Sequence, residues 1–194
     1  MIENINSDTF DFIEGETLLI DKPYTYTSFD VVNRIRYRLK KITGKKKIKV
    51  GHAGTLDPLA TGLLILCTGK KTKKIDQIQG QTKEYTGEIE LGKSTPSYDL
   101  ETEFDKTFET SHITPKILEE VKNTFLGEIE QIPPVFSAVK IDGKRAYESA
   151  RKGKEVEIKP RIVTVSEFKI DTTNFPIISF TITCSKGTYI RSIA

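Results

Sequence analysis

The stretch Gly51-His-Ala-Gly-Thr-Leu-Asp-Pro-Leu-Ala-Thr-Gly62 decides how the rest of the chain is read. It holds one carboxylate, Asp57, among small and apolar residues. Asp57 precedes Pro58, and a residue before proline is pushed out of the helical region. Gly51, Gly54 and Gly62 allow tight turning and close approach of a large partner. Leu63 to Cys67 follows as an apolar run of the length of a buried strand. A carboxylate on an irregular loop beside a buried strand is displayed in the way a scaffold presents a reactive group. On Asp57 alone an ordinary Asp-Pro turn is the simpler reading. The twelve-residue string taken as a whole changes that reading.

Working outward, the chain of 194 residues has the size of one compact domain, with 37% hydrophobic and 29% charged residues. No apolar run approaches membrane-spanning length. The N-terminus is acidic (Glu3, Asp8, Asp11, Glu14, Glu16) and carries no basic-then-apolar signal. Cys67 and Cys184 sit in apolar segments and read as buried thiols of a reducing compartment. A soluble cytoplasmic protein is expected. The net charge of +3 is unevenly spread: Arg34 to Lys49 contains nine Lys or Arg and no carboxylate, and Lys70, Lys71, Lys73 and Lys74 form a second basic group. Such runs are often solvated helix faces. Placed on both sides of the Asp57 loop, they favour contact with a nucleic-acid backbone.

Periodicity predicts a strand over Thr17 to Ile20 and a helix capped by Thr27 or Ser28 that runs to about Lys41, with Phe29, Val32, Ile35 and Leu39 as its apolar stripe. Gly44 to Lys47 reads as a basic turn. Lys83 to Leu91 alternates, with Tyr85, Gly87, Ile89 and Leu91 on the inner face. Ser94 to Phe108 reads as a long loop. Thr114-Pro115 starts a helix whose apolar face is Ile117, Leu118, Val121 and Phe125 and which Gly127 ends. Ser137 to Ile141, Arg161 to Ile170 and Ile177 to Cys184 read as strands, and Ala146 to Lys152 as a short helix. The sum is a mixed α/β (α+β) fold with a mostly antiparallel sheet flanked by helices.

Two histidines, His52 and His112, with scattered cysteines form no metal site of recognisable spacing. Gly69-Lys70-Lys71-Thr72 lacks the glycine spacing and the hydroxyl position of a phosphate loop. No Ser-His-Asp set is readable.

The Gly51–Gly62 string resembles the catalytic motif of the TruB family of tRNA pseudouridine synthases. Leu18 to Pro23 followed by Thr27-Ser28, Lys83-Glu84-Tyr85, Pro133 to Lys140, Gly143 to Glu148 and Gly187 to Ser192 are similar to the family's other segments, in the same order. The resemblance implies the pseudouridine synthase fold and an isomerase that turns a T-loop uridine of tRNA into pseudouridine. It implies a single catalytic domain over 1–194, with 94–154 including an RNA-contacting insertion, acting as a monomer without metal or cofactor. It implies Asp57 as the nucleophile, Arg191 against that carboxylate, and Tyr85 stacked on the target base, where it helps to remove the C5 proton. Tyr189 would line the uridine pocket, and His52 would fill the space left by the flipped-out base. Lys22 and Pro23 would buttress the active loop. From the residues alone, Arg191 also reads as a surface arginine, Tyr85 as a core tyrosine and His52 as structural. Tyr189 and Arg191, two apart, would share a face if the segment is extended.

Three departures from the family pattern stand out. Thr25 occupies a glycine position, which argues against a positive φ there or for a rearranged loop. Pro96 replaces an acid of a Thr-Asp-Thr segment, so no role for that acid carries over. The chain stops at Ala194 inside the last motif. The C-terminal part of the family's chain is therefore expected to be missing, with weakened RNA binding and impaired activity. Three other readings compete: the catalytic subunit of a guide-RNA-dependent pseudouridylation particle, a non-catalytic tRNA-binding or folding module, and a structural α/β domain with no RNA partner. Ala53 is similar to the stand-alone branch; the guided branch usually has serine there.

Overall fold

A computed structural model describes residues 10–135, 137, 140–141, 144–145 and 158–194. They fall into two compact units, divided between Gln81 and Thr82. The helix expected over Ala146 to Lys152 lies outside the described residues.

The first unit is a three-stranded antiparallel sheet with one long helix. Strands β1 (Thr17–Lys22), β2 (Val50–His52) and β3 (Gly62–Thr68) pair in the order β1-β3-β2. Helix α1 (Ser28–Thr43) starts at Thr27, whose hydroxyl accepts from the Asp30 N–H while the Asp30 carboxylate accepts from the Thr27 N–H. This reciprocal pairing satisfies two otherwise orphaned donors. Gly44, at φ 66°, ends the helix in the left-handed cap that glycine favours. Val31, Val32, Ile35 and Leu39 of α1 are buried against Val50, Leu64 and Leu66, with Leu18, Ile20 and Tyr26 around them. The expected stripe is corrected at one position: Phe29 is exposed and Val31 takes its place. β3 is followed by a 3₁₀ turn (Gly69–Lys74) and the short helix α2 (Ile75–Gln79), neither marked by a clear sequence period.

Thr25 overturns one expectation. Its φ is +69° in the turn closed by the Tyr26 N–H and the Pro23 carbonyl. The φ is positive without a glycine, and a β-branched residue there is strained. Thr25→Gly is expected to stabilise the protein by about 1 kcal/mol, raising Tm by roughly 2–4 °C in calorimetry.

In the second unit, β4 (Lys83–Glu90), β7 (Gly127–Gln131), β10 (Arg161–Asp171) and β11 (Ile177–Cys184) form an antiparallel sheet in the order β4-β11-β10-β7. Between β4 and β7, β5 (Lys93–Ser94) pairs with β6 (Lys106–Thr107), so the expected long loop is tied at its base. Farther along, β8 (Lys140–Ile141) pairs with β9 (Lys144–Arg145). Helix α3 (Pro115–Thr124) begins at Thr114 as expected. Its end is corrected: Phe125 caps it, and Gly127, at φ +88°, opens β7 instead. β7 was not read from the sequence because Glu128 and Glu130 dilute its apolar signal on a sheet edge. It is sheet, although it lies within the stretch read as an insertion. β10 keeps Val163, Val165 and Phe168 buried despite the odd spacing, because its register shifts between Val165 and Glu167. The core holds Val165, Phe168, Ile182, Cys184 and Ile193. Cys67 and Cys184 are free and buried, and burial raises the pKa of both thiols.

Candidate active site

The Gly51–Gly62 string is not loop throughout. Its first two residues continue β2 from Val50, and Gly62 opens β3, so the irregular part is a short connection between antiparallel neighbours. That brevity limits how far Asp57 can wander. A Cβ at Gly51 would lie 2.7 Å from Ile75 Cδ1, the end of a side chain that would have to turn aside. Gly54 and Gly62 have φ of +132° and +110°. The Ala53 N–H donates to the Ile65 carbonyl at 2.8 Å, and the His52 ring pairs through Nδ1 with the Gly54 carbonyl. The Asp57 carbonyl accepts from the Ala60 N–H at 3.1 Å. The Asp-Pro turn is therefore real, and it serves to present the residue that begins it.

Lys22 is fully buried at the end of β1, opposite Gly62. Its ammonium donates to the carbonyls of Tyr26 at 2.6 Å, Pro23 at 3.1 Å and Pro58 at 3.1 Å. Three acceptors match the three donors of the group. Burial lowers the Lys22 pKa, and the negative charge of Asp57 opposes that shift. Lys22 thus joins the turn after β1 to the residue following Asp57. Pro23 contributes its carbonyl while its ring is exposed. On the other side, the Ser28 hydroxyl donates to the Leu56 carbonyl at 3.2 Å and accepts from the Leu56 N–H at 3.0 Å. From the sequence, Ser28 reads as an alternative helix cap and as part of the first family segment, with no contact to the Asp57 loop expected.

The basic run lies mostly on the exposed face of α1 and the turn beyond it. Arg34 stacks over Tyr26 and Lys41 over Tyr37, and Arg36 donates to the Val50 carbonyl. In the second basic group, Lys70 and Lys71 pair with Glu14 and Glu16. The acidic N-terminal residues thus neutralise part of the charge that the sequence offers to a phosphate backbone.

The remaining site residues belong to the second unit. Tyr85 is half-buried on the inner face of β4, opposite Ile182, beside the apolar core. Tyr189 is extended, but Arg191 lies in a 3₁₀ turn (Ile190–Ser192), so the same-face expectation fails for want of a continuous strand. Arg191 is not a surface group: its side chain is 14% exposed. Its guanidinium lies 3.2 Å from the Asp99 carboxylate and donates to the Ser97 carbonyl at 3.0 Å. Pro96 removed an acid from the expected place, yet Asp99, three residues on, meets the arginine. Thr95 and Ser97 hydroxyls donate to the Asp99 carbonyl and shape that loop.

Gln131, also missed from sequence, is 5% exposed at the end of β7. Its amide accepts from the Tyr189 N–H at 2.8 Å and donates to the Tyr189 carbonyl at 3.0 Å. Gln131→Leu is expected to lower stability by about 2 kcal/mol, because both backbone groups lose their partner in a partly buried place. Urea unfolding would check it.

Residues 40–190 match the family model described as TruB family pseudouridylate synthase (N terminal domain). This chain belongs to the TruB family. Among TruB relatives, the tRNA pseudouridine synthase B of Parabacteroides distasonis is 57% identical over 184 residues, covering 95% of this chain and 78% of the relative. That of Flavobacterium johnsoniae is 57% identical, with 95% of this chain and 81% of the relative covered. Among solved structures, a Cbf5-Nop10-Gar1 complex contains a chain that is 27% identical at a TM-score of 0.64, covering 94% of this chain and 43% of that one. The TruB sheet and helices described above are those of the pseudouridine synthase α/β fold. Among the described residues no helix is long and apolar enough to cross a membrane.

Proposed function

We propose that this chain isomerises the T-loop uridine of tRNA to pseudouridine, with Asp57 as nucleophile. The observation that carries the reading is a carboxylate held on a short, glycine-turned connection, in a chain whose relatives at 57% identity are named tRNA pseudouridine synthase B. The reaction breaks the C1′–N1 bond, turns the base and joins C5 to C1′. C5 loses a proton and N1 gains one, so no redox partner is needed. A carboxylate nucleophile divides this into easier steps through a covalent intermediate. Tyr85 stacks on the base and assists removal of the C5 proton. Tyr189 lines the pocket, and His52 occupies the space of the flipped-out uridine. Arg191 serves the active carboxylate while Asp99 holds its guanidinium. The exposed part of the basic run meets the phosphate backbone, and residues within 94–154 add RNA contacts. Catalysis by a cytoplasmic monomer completes the reading.

Likeness to the Cbf5 chain favours a second reading, a subunit that needs accessory proteins and a guide RNA. Tritium release from tRNA carrying 5-³H-uridine, with this chain alone and no guide, separates the two. Release supports the stand-alone enzyme. No release while tRNA is bound, restored by accessory proteins and a guide, would support the second.

A further inference from the structure

We infer that Ser28 is a positioning residue for Asp57, holding the backbone immediately before it through a two-way hydrogen bond. This rests on the reading of Asp57 as the nucleophile.

A serine at the first position of a helix ordinarily suggests capping. Here Thr27 and Asp30 already form the complete capping pair. The Ser28 hydroxyl is turned instead to Leu56, as donor to its carbonyl and acceptor from its N–H. One hydroxyl thereby does for Leu56 what a neighbouring strand would do for a paired residue. Ser28 is 2% exposed, so water has little access to compete for those bonds. The residue after Asp57 is held as well, since the Pro58 carbonyl accepts from the Lys22 ammonium. Asp57 itself closes a turn with Ala60. Backbone anchors thus lie before, at and after the carboxylate. They come from the start of α1, the end of β1 and the loop itself. A reacting carboxylate gains from such fixing because displacement of about 1 Å can cost roughly 100-fold in rate. Lys22 and the turn anchor the C-terminal side of Asp57; Ser28 anchors the N-terminal side.

The test compares the chain with Ser28→Ala, Ser28→Thr and Asp57→Asn in single-turnover tritium release from 5-³H-uridine tRNA. Each variant is also melted and titrated with tRNA. Ser28→Ala is expected to stay folded and to bind tRNA within about threefold of the parent. Its single-turnover rate should fall by about 30–100-fold, and Ser28→Thr, which keeps the hydroxyl, should recover most of that loss. Amide exchange at Leu56 should speed up at least about tenfold in Ser28→Ala, whatever the activity. A Ser28→Ala rate within about twofold of the parent would overturn the inference. So would equal losses in the Ala and Thr variants, or unfolding of Ser28→Ala at the assay temperature, which would make the hydroxyl a requirement of the fold. Unchanged Leu56 exchange would overturn it even if the parent released no tritium. Asp57→Asn separates the two failures. If it still releases tritium, the reading of Asp57 falls. If it is inert while Ser28→Ala is unimpaired, only the role of Ser28 falls.

Discussion

Asp57→Asn is expected to reduce pseudouridine formation by more than about 10³-fold, while tRNA affinity stays within about threefold. The substitution keeps the shape of the side chain and removes the carboxylate proposed as the nucleophile. The turn that presents the residue is built from its carbonyl and the Ala60 N–H, which asparagine retains. The neighbours on either side are held by Ser28 and Lys22 through backbone groups, which the substitution leaves in place. One effect opposes a wholly neutral outcome for the fold: Lys22 is buried, and the charge of Asp57 supports its ionised form. Loss of that charge should cost a little stability, since the three carbonyl acceptors remain. A small fall in Tm with intact tRNA binding and no tritium release is therefore the expected combination. Retained release would remove Asp57 from the chemistry. Lost binding together with lost release would mean that the loop's contribution is to hold RNA.

How much of this was legible in the sequence depends on how local the signal was. Helix α1 was readable because its cap, its apolar period and its terminal glycine all lie within one short stretch. β4 was readable because Tyr85, Gly87 and Ile89 alternate with charged or polar residues. β7 was not, since two glutamates on an edge strand look like loop until the partner strand is known. The position of Asp57 was legible as a motif. Its supports were only partly so: Lys22 and Ser28 fall in a segment named through resemblance, but the Ser28 bond to Leu56 reaches across 28 residues of chain. Gln131 acts across 58. A side chain that binds a distant backbone leaves no periodicity behind. Thr25 is the opposite case. Residue type argued against a positive φ, but Lys22 and the Pro23–Tyr26 turn determine the backbone more strongly than the threonine resists it.

Arg191→Lys is expected to lower the rate by about 100-fold with a much smaller change in tRNA affinity. The guanidinium meets two acceptors from one loop, the Asp99 carboxylate and the Ser97 carbonyl. One guanidinium nitrogen, Nη1, meets both, and the rigid planar group fixes its direction; an ammonium on a flexible stem does not hold that direction. Both charged side chains are mostly buried, at 14% and 16% exposure, so salt and water screen the pair little. Asp99→Asn keeps the shape and removes the charge. It should therefore cost less than Arg191→Lys, about tenfold in rate. The decisive comparison is the double variant. If Asp99 acts through Arg191, the two losses overlap, and Arg191→Lys with Asp99→Asn is little slower than Arg191→Lys alone. If the losses multiply, Asp99 has a separate role in shaping the loop from Thr95 to Thr102. Tm measured alongside distinguishes these cases, because a loop defect would lower stability in Asp99→Asn as much as in the double variant. Overlapping rates with a preserved Tm would make the pair one functional unit, assembled from a motif the sequence displayed and an acid it had hidden three residues beyond Pro96.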